Sequence, residues 1–220
     1  MAGVSRKLWH DLVLAPAVVM SVAMGSVGCT TLSTVPEKSA ATSSPRPTPV
    51  PSPLTTSARI FTPVIAGTIA PDLTVDQKVE GTCFGNSSKV QRADAWRCSS
   101  GNMIIDPCFS GTSGGPLACS STPWTKSVTQ LTLTRPLPAP FVTRATSTDG
   151  SAFAIELANG QRCSLIGGAT GSIAGRRINY GCPGGTGLGD IDRSAGLWSI
   201  YYVVTGESTA QAVGVAIAWF

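Results

Sequence analysis

Hydrophobic and polar side chains alternate with a period of two along much of the chain beyond residue 58. The clearest runs lie at 128–133, 152–157, 162–166, 197–204 and 213–219. Successive side chains of a strand point to opposite faces of a sheet, so these runs predict strands. Asn159-Gly160 lies between two of the runs, and this dipeptide is the strongest short-range signal of a β-hairpin.

The run at 197–204 is apolar on both faces and predicts a central, well-covered strand. Its side chains divide into Trp198, Ile200, Tyr202 and Val204 on one face and Leu197, Tyr201 and Val203 on the other. The run at 213–219 is expected to be a strand inside the fold. The glycine-rich segment 181–189 is expected to form turns between strands.

One segment, 86–96, carries a weak helical pattern. Val90, Ala93 and Trp96 would share one side of a helix that Ser87 or Ser88 caps. An irregular loop bounded by disulfides fits the same residues equally well. Together the patterns predict a mainly β fold, a small disulfide-stapled β-sandwich or barrel-like domain with at most one short helix.

The first 28 residues predict a signal peptide. Arg6 and Lys7 give a short positive region, and residues 12–27 carry no charge. That run is short for a membrane-spanning helix, which needs about 20 apolar residues. It ends at Ser26-Val27-Gly28-Cys29, which resembles the lipobox of bacterial lipoproteins, although that family prefers an aliphatic residue where Ser26 stands. The resemblance implies a lipid on Cys29.

Three regions follow from these features. Residues 1–28 are the expected signal peptide, residues 29–58 the lipidated cysteine with a Ser/Thr/Pro-rich linker, and residues 59–220 a single β-rich extracytoplasmic domain. Prolines alternate with other residues between 45 and 53, which favours an extended chain of polyproline II character. We expect the domain at the outer face of the cell membrane, anchored by lipid, with secretion as the alternative.

The cysteine count supports export. Seven cysteines leave an even set once Cys29 carries lipid, and such a set in an exported chain usually forms disulfides. Six cysteines allow fifteen pairings, and we expect neighbours to pair, as Cys83–Cys98, Cys108–Cys119 and Cys163–Cys182. Each closed loop would contribute about 3 kcal/mol. With no Cys-x-x-Cys and no histidine after Cys29, no metal site is predicted.

The charge of the chain gives little sign of a polyanionic partner. The net charge is +4 at pH 7, and the basic residues are scattered, with Arg176-Arg177 the only adjacent pair after the signal peptide. Nucleic-acid-binding proteins cluster their lysines and arginines. We therefore expect no nucleic-acid partner, and no motif indicates a cofactor.

One motif resembles an enzyme. The segment 111–117, Gly-Thr-Ser-Gly-Gly-Pro-Leu, resembles the nucleophile segment of trypsin-like serine proteases, with Ser113 as the nucleophile. That chemistry needs a histidine, and the only one is His10 in the signal peptide. A turn between Cys108 and Cys119 accounts for the motif, so no catalytic residue is predicted. Carboxylate chemistry stays open because glycoside hydrolysis needs only two Asp or Glu.

A second motif resembles a calcium loop. Asp190-x-Asp192-x-Ser194 has the opening of the EF-hand pattern, but Ala195 stands where that pattern has glycine. We expect the two aspartates to cap a turn before the strand that contains Trp198.

Arg92, Trp96 and Arg97 form the candidate binding surface, because Trp and Arg are favoured as interface anchors. The alternative, which we favour, is structural: Trp96 packed on a disulfide and an arginine bound to main-chain carbonyls.

Asp94-Ala-Trp-Arg-Cys98 and Asp106-Pro-Cys-Phe109, with the Asn-Gly hairpin, resemble exported actinobacterial lipoprotein domains that carry no assigned activity. The resemblance covers about residues 80–220. We expect a non-catalytic cell-envelope lipoprotein, anchored in membrane lipid through Cys29, that binds an envelope protein or ligand. The alternatives are a carboxylate-dependent hydrolase of cell-wall glycan and a purely structural envelope protein.

Overall fold

The computed structural model describes residues 55–111, 115–141 and 148–220. The signal peptide, Cys29, the linker up to residue 54 and the centre of the Ser113 motif lie outside these ranges. The described residues belong to one compact unit, and they contain fifteen strands and no helix. The prediction of a mainly β fold is therefore confirmed.

The strands are short apart from β4 and β15. In chain order they are β1 (Ser57–Arg59), β2 (Val64–Ile65), β3 (Thr68–Ile69), β4 (Thr74–Asn86), β5 (Ala95–Ser100), β6 (Met103–Phe109), β7 (Leu117–Cys119), β8 (Ser127–Leu133), β9 (Ala154–Leu157), β10 (Arg162–Leu165), β11 (Ser172–Ile173), β12 (Arg176–Cys182), β13 (Gly185–Asp192), β14 (Ser199–Val204) and β15 (Gln211–Trp219).

Strands β4 to β8 form the first barrel. Their order in the closed sheet follows the chain, with β4 parallel to β8 and the other neighbours antiparallel. The side chains that point inward are two disulfides and the large apolar residues Trp96, Leu117 and Leu131. Closure leaves no free edge along these strands, which limits unwanted strand pairing.

Strands β9, β10, β12, β13, β14 and β15 form the second barrel. Strand β9 pairs with β10 on one side and with β15 on the other, so the sheet returns to itself. Strand β1 adds in parallel to β15, and β11 adds to β12. The interior contains Ile155, Tyr180, Ile200 and Val215. Of the two architectures left open by the sequence, barrels are the one formed.

Each disulfide joins two neighbouring strands of one barrel. Cys83–Cys98 links β4 to β5, Cys108–Cys119 links β6 to β7, and Cys163–Cys182 links β10 to β12. These are the three pairs expected from chain proximity. All six cysteines face a barrel interior or pack against it, so the covalent links lie within the hydrophobic core.

The strongest strand patterns are confirmed. Strands β9 and β10 form an antiparallel hairpin around Asn159-Gly160, where Gly160 has a φ of +83° that only glycine adopts without strain. Strand β15 lies inside the fold, with Val215 and Ala218 fully buried. Strand β14 lies between β13 and β15, as expected of a central strand.

The prediction that β14 is covered on both faces is wrong in part. Tyr201 and Val204 are exposed by 39% and 45%, while Ile200, Tyr202 and Val203 are buried. The exposed positions therefore include one residue from each face, Tyr201 and the terminal Val204 of the strand. Arg176 covers Tyr201, with its guanidinium carbon 3.8 Å from the ring centroid.

The glycine-rich segment 181–189 contains the expected turn at residues 183–184, while the rest of the segment lies in β12 and β13. Its glycines are needed because aromatic and aliphatic side chains lie across the sheet. A Cβ at Gly187 would come within 3.0 Å of the Cβ of Tyr180 and 3.1 Å of a methyl group of Ile200. Gly187 makes room for the core, whereas Gly184 lies in the turn that joins the two antiparallel strands.

Segment 86–96 forms no helix. It completes β4, runs as a loop from 87 to 94, and then enters β5. Ser87 Oγ does accept hydrogen bonds from the main-chain N–H groups of Lys89 and Val90, both at 3.0 Å, as a helix cap would. The loop then turns inward because the Arg92 side chain is drawn into the core, and this ends any helical path.

The folded domain begins earlier than the predicted boundary at residue 58. Thr56 Oγ1 donates to the carbonyl oxygen of Val215 at 2.6 Å and accepts from the N–H of Trp198 at 2.7 Å. Strand β1 then pairs with β15 from Ser57 onward. The polar character of these residues suits an outer strand, which is why composition alone assigned them to the linker.

The two barrels meet at a cluster of three phenylalanine rings. Phe61, Phe109 and Phe153 have ring centroids 5.5–6.2 Å apart, and Val90 and Ala95 pack against them. Phe109 belongs to the first barrel, while Phe153 precedes β9 of the second. Burial of this shared apolar surface is what holds the barrels against each other.

Arg92 is buried in the same joint and contacts both barrels. Its Nε donates to Asp94 Oδ1 at 2.9 Å, and its Nη2 donates to the other carboxylate oxygen. Its Nη1 donates to the carbonyl oxygens of Phe61 at 2.8 Å and Phe220 at 3.0 Å. The guanidinium also lies 5.2 Å from the ring centroid of Phe109. A buried charge is tolerated because each of its nitrogens is paired.

Replacing Arg92 with Met should lower the free energy of unfolding by about 3 kcal/mol, because Asp94 and two carbonyl oxygens lose their donor. The free energy of unfolding of Arg92→Lys should lie between those of the unaltered protein and Arg92→Met. Lysine keeps the charge but loses the planar set of donors. Urea denaturation measures the change. Lys78→Met, at an exposed position of β4, is the control and should shift stability by less than about 0.5 kcal/mol. An Arg92→Met protein as stable as this control would contradict the assignment.

Candidate functional site

The three residues predicted as a binding surface do not lie together on the surface. Arg92 and Trp96 are exposed by only 1% and 4%, so neither can meet a partner, and this part of the prediction is wrong. Arg92 joins the barrels, and Trp96 packs among the disulfide cysteines of the first barrel. The structural alternative therefore holds for both. Arg97 alone reaches solvent, with 42% of its side chain exposed.

Alternation along β5 explains this division. Trp96 and Cys98 are buried in the first barrel, so Arg97 between them points outward. The indole N–H of Trp96 donates to Ser110 Oγ at 3.1 Å, which satisfies its one polar group inside the fold. Strand β5 therefore places Arg97 on the outer face of the barrel and Trp96 in its core.

Arg97 stacks on Phe84 of β4, with the guanidinium carbon 5.7 Å from the ring centroid. Phe84 is itself exposed by 52%. Arg97 Nε is buried and has no hydrogen-bond partner within the described residues, and the nearest carboxylate oxygen, on Asp106, is 4.0 Å away. Stacking holds the guanidinium plane in one orientation while its hydrogen-bonding capacity stays unused.

Arg97 lies at a groove of about 710 Å³ between the two barrels. Its first wall belongs to the first barrel and consists of Ser88, Lys89, Arg97, Ile104 and Asp106. Its second wall belongs to the second barrel and consists of Ser164, Leu165, Ile166, Gly167, Gly168 and Gly181. A volume of this size lies in the range of pockets that take ligands or short peptide segments.

Asp106 organises the first wall. Its carboxylate accepts hydrogen bonds from Ser87 Oγ, from Ser88 Oγ at 2.6 Å and from the main-chain N–H of Ser88 at 3.1 Å. These bonds fix the start of the loop that places Lys89 at the groove. Arg97 Nε lies 4.0 Å from Asp106 Oδ2, close enough for an ion pair and too far for a hydrogen bond.

Apolar side chains are exposed in and beside the groove. Ile104 is exposed by 60% and Ile166 by 36%. A second groove of about 350 Å³ also contains Ile104 and Asp106, and it extends toward Thr125 and Ser127. The two grooves therefore adjoin each other at Ile104 and Asp106 of β6.

Gly167, Gly168 and Gly181 keep the second wall of the groove low. An added Cβ at Gly168 would meet no atom within 4 Å, and one at Gly181 would only touch Ile166 at ordinary contact distance. The main chain of this wall is therefore accessible from the groove.

A separate cavity of about 310 Å³ brings two carboxylates together. Asp149 and Asp190 both line it, beside Asn179, Tyr180 and Arg193. Asn179 Nδ2 donates to Asp190 Oδ1 at 3.3 Å. The Arg193 guanidinium is already hydrogen-bonded within the fold. It donates to the carbonyl oxygens of Thr148 at 2.7 Å and Gly150 at 2.6 Å.

Tyr180 lies at the floor of this cavity and stays protonated. Burial raises its pKa well above the ordinary value, and the nearby Asp190 charge adds to the rise, whereas Arg193 opposes it. The hydroxyl donates to the carbonyl oxygen of Ala152 at 2.7 Å. A tyrosine held in this way supports the wall of the second barrel and offers no free phenolate.

The calcium-like motif forms a turn. Asp192 Oδ1 accepts the N–H of Ser194 at 2.9 Å, and this bond lowers the pKa of Asp192. Asp190 points elsewhere, to Asn179, so only one of the two aspartates caps the turn as expected. No group of three His, Cys, Asp or Glu side chains in the described ranges is placed to hold a metal ion.

The part of the chain that the structure describes contains no helix able to cross a membrane. A comparison with protein-family models, with curated proteins and with solved structures returns no match. Function is therefore inferred from the geometry of the groove.

Sequence reasoning missed Phe84, Ile104 and Asp106. The sequence did contain a signal for Phe84. A disulfide between Cys83 and Cys98 inside the barrel forces the neighbouring Phe84 and Arg97 to the outside. Large apolar side chains at outward positions beside an arginine are typical of contact surfaces. For Ile104 and Asp106, the strand register of β6 against β5 had to be known first.

Proposed function

We propose that this chain is an exported cell-envelope lipoprotein, held at the membrane by lipid on Cys29, whose two-barrel domain binds a partner through the groove without catalysing a reaction. The observation that carries the proposal is the groove itself. It presents exposed Ile104 beside Arg97, which stacks on exposed Phe84 and has no hydrogen bond within the described residues.

The groove has the composition of a binding surface. Burial of Ile104 and Phe84 by a partner would gain about 25 cal/mol for each Å² of apolar surface removed from water. Arg97 adds charge-assisted hydrogen bonds, and arginine is one of the residues most often found at the energetic centre of interfaces. A partner would thus satisfy groups that the isolated domain leaves exposed.

The site is rigid before anything binds. Phe84 follows Cys83 and Arg97 precedes Cys98, and these cysteines form one disulfide. Asp106 lies two residues before Cys108, which is bonded to Cys119. A preformed site loses little conformational entropy on binding, so more of the contact energy appears as affinity. The disulfides therefore support the binding role as well as stability.

Export is supported by the disulfides together with the N-terminal pattern. Three disulfides are typical of proteins that fold in an oxidising compartment. The charged start, the apolar run and the segment Ser26-Val27-Gly28-Cys29 account for how the chain would reach that compartment and stay there. The purely structural alternative anticipates no concave site, so the groove argues against it.

Replacing Cys29 with Ser should move the protein from the membrane fraction to the medium, or leave an uncleaved precursor, because the acceptor sulfur for the lipid is lost. Fractionation followed by mass spectrometry of the first mature peptide measures both outcomes. Ser26→Ala, which changes a neighbouring residue and keeps the sulfur, is the matched control and should remain in the membrane. Membrane retention of a normally processed Cys29→Ser protein would contradict the lipid assignment.

A photo-crosslinking amino acid in place of Ile104 should form adducts with a partner in intact envelopes, because this side chain is exposed within the groove. Immunoblotting after irradiation detects them as a discrete band. The same amino acid in place of Lys78, an exposed position outside both grooves, should give no such band. Equal labelling from the two positions, or none from Ile104, would contradict binding through the groove.

One observation favours a second candidate, a carboxylate-dependent hydrolase of cell-wall glycan. Asp149 and Asp190 share one open cavity, as the two carboxylates of a glycosidase do. If this candidate is right, the purified chain should release reducing ends from cell-wall glycan, and Asp190→Asn should reduce the rate by two or more orders of magnitude. Asp76→Asn, outside the cavity, should have no effect. No release by the unaltered chain would eliminate the candidate.

A further inference from the structure

We infer that the groove takes an extended acidic peptide segment of a partner protein, with its carboxylates on Arg97 and Lys89. The inference rests on the proposed function and deepens it, because it names the chemistry of the partner. It follows from the charge, the apolar pattern and the shape of the groove.

The charge of the groove is locally positive and poorly compensated. Arg97 forms no hydrogen bond within the described residues, and its ion pair with Asp106 is long, with Nε 4.0 Å from Oδ2. The Lys89 ammonium forms neither an ion pair nor a hydrogen bond with those residues. The one carboxylate of the groove, Asp106, already accepts three hydrogen bonds from Ser87 and Ser88. A ligand that brings its own carboxylates would satisfy both cations.

Arg97 is oriented for a carboxylate. A guanidinium group presents donors in a planar fork that matches the two oxygens of a carboxylate. Stacking on Phe84 fixes that plane before binding. Lys89 supplies a second, less directional charge on the same wall. The pair therefore selects acidic groups, with Arg97 setting the geometry and Lys89 increasing the attraction.

The apolar side chains around these cations call for a ligand that is not acidic throughout. Ile104 and Ile166 lie in the groove, and Phe84 lies beneath the Arg97 guanidinium. In an extended peptide, successive side chains point to opposite sides. Acidic residues that alternate with aliphatic ones would turn carboxylates toward the first wall, which holds both cations, and methyl groups toward Ile166 on the second wall.

The shape of the surface favours an elongated ligand over a membrane. The groove runs between the two barrels, and a second groove adjoins it at Ile104 and Asp106. A bilayer is flat and cannot enter a cleft between two barrels, whereas a peptide chain can. The low wall of Gly167, Gly168 and Gly181 also lets a peptide main chain approach the main chain of the protein.

The test measures fluorescence anisotropy of a labelled octapeptide that alternates Glu and Leu, with the full chain held in detergent micelles. This peptide should bind, and the matched peptide with Gln in place of Glu should bind at least about tenfold more weakly. The combined Arg97→Gln and Lys89→Gln variant should lose about tenfold in affinity for the Glu peptide. Lys78→Gln removes a charge outside both grooves and should change affinity less than about twofold.

Salt provides an independent check, because exposed charge pairs are screened. Raising the salt concentration from about 0.05 to 0.5 M should weaken binding of the Glu peptide and leave binding of the Gln peptide nearly unchanged. Thermal unfolding of each variant confirms that the fold is intact, as expected for side chains on the outer surface.

Three results would overturn the inference: equal binding of the two peptides, an unchanged affinity of the double variant, or Arg97-dependent binding of phosphatidylglycerol vesicles in place of peptides. The Ile104 crosslinks separate this inference from the proposed function. If adducts form in intact envelopes but acidic peptides do not bind, the partner uses other chemistry and only this inference fails. If neither adducts nor peptide binding is seen, the proposed function fails as well.

Discussion

A single buried arginine joins the two halves of this molecule. Arg92 leaves the loop of the first barrel, pairs with Asp94 and donates to the carbonyl oxygens of Phe61 and Phe220 in the joint between barrels. A charge can be buried there because each nitrogen of the guanidinium donates at least one hydrogen bond. The three phenylalanine rings around it supply the apolar area, and the arginine fixes how the two surfaces meet. The groove exists because the barrels are held in this one arrangement.

The covalent links and the strand alternation then decide what the groove contains. Two disulfides occupy the interior of the first barrel, so the residues next to their cysteines must face outward. Phe84 and Arg97 are placed by this rule, and neither could turn inward without displacing a disulfide. The exposed Phe84 and Arg97 side chains, which suit this surface for binding, are therefore a consequence of a core that contains the disulfides. Stability and recognition come from one pattern of alternation.

Much of the fold could be predicted from local signals. The Asn159-Gly160 hairpin, the strand at the end of the chain and the disulfide pairs of near neighbours depend on short-range chemistry, which a single sequence displays. The strands within 181–189 could not be predicted, because their glycines are required by Tyr180 and Ile200 on neighbouring strands. Such requirements appear only once the sheet is assembled.

The site was harder to predict than the fold. Arg92 and Trp96 have the composition of an interface, yet they fill the interior, because an aromatic ring and a fully paired arginine also stabilise a core. Only Arg97 of that segment reaches the surface. Titrating an isotope-labelled chain with the alternating Glu and Leu peptide and following its NMR resonances tests the central claim directly. Binding through the groove predicts shifts at Phe84, Arg97 and Ile104; shifts confined to the cavity of Asp149 and Asp190, or none at all, would contradict it.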